Sequence, residues 1–152
     1  DDSPREPAAS SDPVYIEKGT IEDVRTLDIF IPVPAALPEG MAFDTADILY
    51  ADASFANVTL VYRGMDDAPM IISYRYGKRN MSMAIDCDTV ETYEWDGIEV
   101  TRFTNQDTPM NAFMWQIAGY MIRVHADLDL PQARALFDDI NHKLYEDWKQ
   151  GD

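Results

Sequence analysis

Apolar positions recur every second residue through the middle of this chain and about every 3.6 residues near its end. Val58, Leu60 and Tyr62 alternate with Thr59, Val61 and Arg63, and Ile72, Tyr74 and Tyr76 alternate with Ile71, Ser73 and Arg75. A period of two predicts strands, because successive side chains point to opposite faces of a sheet. Met81, Met83 and Ile85 repeat that period, and Ala46 to Ala51 gives a shorter, mixed stretch. Two hairpins punctuate the second half. Asp96-Gly97 separates Tyr93 and Trp95 from Ile98 and Val100, and Ala118-Gly119 separates Phe113 to Ile117 from Tyr120 to Val124. Glycine supplies the positive φ that a two-residue hairpin turn demands. After Asp129 and Pro131 the period lengthens. Ala133, Leu136, Phe137, Ile140, Leu144 and Trp148 then share one helical face, which needs a sheet to bury it.

The first third of the chain is less periodic. Residues 1–13, DDSPREPAASSDP, read as a disordered linker or tail, so that residues 14–150 form the single domain. Thr20 is placed to cap a short helix from Ile21 to Leu27, with Asp23 completing an acidic capping box. In IFIPVPAALPEG the prolines 32, 34 and 38 forbid a central strand, and Ile29 to Pro34 reads as an extended sheet edge. Leu37-Pro38-Glu39-Gly40 fits a type I turn. Together these signals predict an α+β fold. Its sheet is mostly antiparallel and twisted, with six to eight strands. A C-terminal helix of about 18 residues packs on one face, and a short helix stands near the N-terminus.

A chain of 152 residues suits one domain that buries roughly 70% of its unfolded surface. Its net charge of −16, from 28 acidic and 12 basic residues, disfavours nucleic acid and anionic membranes as direct partners. Cys87 is the single cysteine, so no internal disulfide forms, which leaves the redox compartment open. No apolar run approaches the roughly 18 residues that span a bilayer, and no signal peptide is recognisable. Any membrane attachment is therefore expected to come from an anchor outside these residues.

Candidate chemistry is sparse. The stretch from Asp86 to Glu99 holds six carboxylates, but its spacing is not that of an EF-hand, and alternating acids along a hairpin read as a solvated face. Cys87 with His125 or His142 would make a nucleophile and base, yet Asp86 and Asp88 disfavour the thiolate. His125 is followed by Asp127 and Asp129, which suggests a loop ion pair, and two histidines are too few for a zinc site. No catalytic residue, metal or cofactor is expected. The eight methionines, among them Met81, Met83, Met110, Met114 and Met121, read as core filler or as an adaptable binding surface between sheet and helix.

LPEGM after an extended segment, WDGIEV, and FMWQIAGYMIRVHADLDLPQARALFDDI together resemble a bacterial domain family catalogued only as a domain of unknown function. Pro38-Glu39-Gly40, Asp96-Gly97, Trp115, Gly119, Tyr120 and the final helix carry the likeness, over roughly residues 20–145. The resemblance implies a setting mainly in Gram-positive bacteria, outside the membrane, often in membrane-anchored proteins, some of them anti-sigma-factor-like. It brings no catalytic residues.

The expectation is therefore a non-enzymatic extracytoplasmic sensing or protein-interaction domain. Its alternatives are a carrier for a small apolar ligand held between sheet and helix, and a hydrolase using acidic residues. The expected interaction surface joins Ile29 and Ile31 at a sheet edge to Trp95, Asp88 and Glu94 on the acidic hairpin. An aromatic anchor with acidic neighbours suits a basic partner.

Overall fold

The computed structural model describes residues 14–150 apart from 28, 39, 52–54, 65–68, 78–87 and 106–110, with backbone alone at 51, 55 and 148–150. Two antiparallel meanders meet side by side in one sheet. The first comprises β1 (Val14–Gly19), β2 (Ala42–Ala51), β3 (Phe55–Arg63) and β4 (Pro69–Gly77). The second comprises β5 (Thr89–Trp95), β6 (Ile98–Thr104), β7 (Asn111–Ile117) and β8 (Tyr120–Ala126). The order is β1-β2-β3-β4-β8-β7-β6-β5, so the last strand of each meander forms the central seam. The α+β sheet read from the sequence is present, with eight described strands.

Both hairpins are where the sequence puts them. Asp96 and Gly97 have φ 55° and 81°, and Ala118 and Gly119 have φ 53° and 85°. Two successive positive values are what a type I′ turn needs to match the strand twist. The proline-rich turn is displaced by one residue. Met41 N–H donates to the Pro38 carbonyl, and Gly40, at φ 85°, holds the third position.

α1 (Ile21–Arg25) begins at Thr20, whose hydroxyl accepts from Asp23 N–H while the Asp23 carboxylate accepts from Thr20 N–H. α2 (Leu130–Gln150) opens the same way: Asp129 and Gln132 exchange reciprocal side-chain-to-backbone bonds of 2.8 and 3.0 Å. Ala133, Leu136, Phe137, Ile140 and Leu144 are buried, as the period predicts. They meet the face built from Ile48, Val58, Leu60, Tyr62, Ile72, Tyr74, Phe113, Trp115, Ile122 and Val124. Phe137 is the pivot, its ring 5.0 Å from Trp115 and 5.3 Å from Trp95. Among the described residues no helix is long and apolar enough to cross a membrane.

Residues 29–34 depart from the expectation. They form no strand and no sheet edge, and Ile29, Ile31, Pro32 and Pro34 are buried. The segment lies on the same face as α2. Tyr120 and Tyr74 donate from the sheet to the carbonyls of Phe30 (2.6 Å) and Pro32 (2.7 Å). Asp139 of α2 accepts from the amides of Ala35 (2.6 Å) and Ala36 (3.0 Å). A buried irregular segment must satisfy every backbone group. Pro32 and Pro34 have no N–H to satisfy. The prolines that argue against a central strand are what lets this segment lie inside. The sheet edges are instead β1, bulged around Lys18 at φ 54°, and β5, with Glu91 and Glu94 outward. Both devices discourage edge-to-edge pairing.

Candidate functional site

The buried segment forms one wall of a cleft of about 670 Å³. Val24, Leu27, Ile29, Ile31 and Val33 line its apolar side, with Phe30 at the rim, 37% exposed. His142, Lys143, Glu146 and Asp147 of α2 face them. The wall is fixed from two directions: tyrosine hydroxyls hold the Phe30 and Pro32 carbonyls from the sheet, and Asp139 holds the amides of Ala35 and Ala36 just beyond it. Lys143 donates to the same carboxylate at 2.7 Å. Burial alone would raise the pKa of Asp139, but the bonds from Lys143, Ala36 and Ala35 outweigh it and bring it below the usual value. The tyrosines beneath stay protonated. Burial, then Asp139, pushes the Tyr62 hydroxyl up to about 12, and burial raises Tyr74 and Tyr120 as well.

The residues expected to make one surface are not brought together. Ile29 and Ile31 line the cleft beside the second half of α2. Trp95 lies at the other end of that helix, under Arg134, whose guanidinium sits 5.3 Å from its ring and 3.0 Å from the Asp96 carboxylate. The interval from Arg134 to His142 and Asp147 is roughly 12–20 Å along the axis at 1.5 Å per residue. Trp95 also packs on Phe113 and Phe137, so it is half-buried core rather than a free anchor. Asp88 and Glu94 are exposed at the β5 edge.

The acidic hairpin behaves as a solvated face. Glu91, Glu94 and Glu99 are exposed, Glu91 accepts from Tyr93 and Arg102, and no cluster fit for a metal occurs among the described residues. Cys87, Met81, Met83, Met110 and the 1–13 tail lie outside the described residues, as does the side chain of Trp148. His125 makes no ion pair with Asp127 or Asp129. It stands half-buried on the sheet face away from α2, where burial and then the charge of Arg123 lower its pKa. Met114 and Met121 lie on that face too, not between sheet and helix.

Residues 31–136 match the domain of unknown function DUF4367. The chain belongs to this family. No curated protein and no solved structure matches it. The DUF4367 match begins at buried Ile31 and ends at Leu136 inside α2. It takes in every strand from β2 to β8, and leaves β1, α1 and the last two thirds of α2 outside. Most of the cleft therefore lies beyond the DUF4367 match, while nearly the whole sheet falls within it.

Proposed function

We propose that this domain is a non-enzymatic binding module for sensing or protein interaction, and that its cleft beside α2 receives an apolar side chain of a protein partner. The observation that carries the reading is the cleft itself: an apolar wall pinned in place by hydrogen bonds, with Phe30 held at the rim. Pre-organised concave sites lined by apolar groups, with a few polar ones, are what ligands select. The net charge of −16 favours a basic partner. The extracytoplasmic, membrane-anchored and anti-sigma-like setting of this proposal rests on the sequence resemblance.

A second reading uses the same cleft for a small apolar ligand. It is favoured by one observation: Phe137, Ile140, Tyr62 and Tyr74 fill the space directly between sheet and helix, so the open volume is displaced to the cleft.

The test is capture of membrane-protein fractions on the immobilised domain, followed by titration of the partner recovered. Phe30→Asp, checked for an unchanged unfolding midpoint, is expected to weaken binding by about tenfold or more. An apolar fluorescent dye that competes with the partner would favour the small-ligand reading. Binding untouched by Phe30→Asp would take the cleft out of both.

A further inference from the structure

The four strands at the centre of the sheet, β3, β4, β8 and β7, contain no aspartate or glutamate, in a chain with 28 acidic residues. On the face away from α2, β4 carries Arg75 and β8 carries Arg123. Arg75 lies opposite Met121 and Arg123 opposite Ser73, so the two arginines are diagonal neighbours across the central seam. Their Cα atoms are about 7–8 Å apart in such a pairing, a range at which long side chains interact. Neither makes an ion pair among the described residues. The Nε of each is buried with no acceptor among the described residues. An unpaired buried donor on a cation is costly, and more so beside a like charge. An acidic protein that keeps two such groups together, with no acid on the strands around them, has the chemistry of a site for a carboxylate from outside.

Beside the arginines runs a mostly apolar row, in which His125 is polar and Ala112 is buried. Val61, Ile71, His125, Ala112 and Phe103 stand opposite one another from β3 to β6. The row is about 19 Å long at 4.8 Å per strand, the length of roughly 13 helical residues. The helices and the 29–34 segment all lie on the other face.

We propose that this face docks an amphipathic, acidic segment of a partner protein, with a carboxylate received between Arg75 and Arg123 and apolar side chains laid along the Val61–Phe103 row. Guanidinium forks suit carboxylates because they bind in bidentate fashion. An extended polyanion, such as a membrane surface or nucleic acid, meets the net charge of the whole domain. A single carboxylate at contact, inside the ~8 Å screening length, meets chiefly the two arginines. This surface is separate from the cleft, so the two readings stand or fall independently.

The probe is a Leu-striped amphipathic peptide of roughly 20 residues, long enough to span the row, with Glu beside the stripe. Its comparators are the same peptide with Gln for Glu, and inorganic phosphate. Binding is followed by the NMR signals of the arginine Nε–H groups at about 150 mM salt. The Glu peptide is expected to shift Arg75 and Arg123 saturably. Its affinity should fall by about tenfold with the Gln copy and with the Arg75→Gln/Arg123→Gln variant, and by less with Arg75→Lys. These positions lie outside the packed core, and an unchanged unfolding midpoint checks the fold of each variant. Phosphate binding as tightly as the peptide would overturn the docking proposal in favour of a small-anion site. Equal binding of the Gln copy, or no saturable arginine shift, would overturn it altogether.

Discussion

The two faces of this sheet are made from alternate residues of the same strands, yet they differ in kind. On one, Ile48, Val58, Leu60, Ile72 and Ile122 have no exposed surface, and tyrosine hydroxyls hold the 29–34 segment, which crosses that face. On the other, Ser73, Ala112 and Met121 are buried, Val61, Ile71, Phe103, Arg75 and Arg123 are half-buried, and threonines such as Thr59 and Thr101 share the surface. The largest fully buried side chains of the sheet therefore lie on one side. The other side is free to carry a cation pair that a packed core would not tolerate.

The sharpest way to break the packed side is Phe137→Ala. It removes the ring that joins α2 to Trp95 and Trp115, and should cost about 3–5 kcal/mol in urea titration. A loss below about 1 kcal/mol would mean that α2 does not anchor this face.

Asp139 tests how firmly the crossing segment is fastened to α2. Asp139→Ala frees two backbone amides and Lys143, with an expected cost of about 1.5–3 kcal/mol at neutral pH. The folded pKa of Asp139 is depressed, so its contribution is present above the unfolded value and fades as pH falls through the folded one. The gap between wild type and variant should therefore close below about pH 4. A gap constant from neutral pH down to pH ~2 would show that the carboxylate charge plays no part.

The smallest effect compares the two hairpin glycines, both at positive φ. Alanine at either costs about 1–2 kcal/mol in backbone strain. A Cβ at Gly119 would also stand 3.1 Å from Tyr76 Cε1, whereas one at Gly97 meets nothing within 4 Å. Gly119→Ala should be the more destabilising in thermal unfolding, and the reverse order would mean that the Tyr76 ring yields freely.

Much of this architecture is legible in the sequence, because each local signal agrees with the final packing. Period two marks β3 and β4, Asp96-Gly97 and Ala118-Gly119 mark the turns, and Thr20 with Asp23 marks the first cap. Other features need tertiary information. Residues 29–34 look like an edge because proline rules out central strands. Only the positions of Tyr74, Tyr120 and Asp139 reveal a buried crossing. β1 goes unmarked because Val14, Tyr15 and Ile16 run together and a bulge near Lys18 breaks the alternation. The Arg75–Arg123 pair is invisible because its two members belong to different meanders, and only the β4–β8 pairing makes them neighbours.

Ile71 and Ile72 put the division of the sheet to its most direct test. They are the same side chain at adjacent positions of β4, facing opposite ways, with Ile72 fully buried among the core residues and Ile71 half-buried in the apolar row. In parallel urea titrations Ile72→Ala should cost about 2–5 kcal/mol, and Ile71→Ala less than about 1 kcal/mol. Equal losses would show that both faces are packed for stability, and would contradict the assignment of one face to recognition.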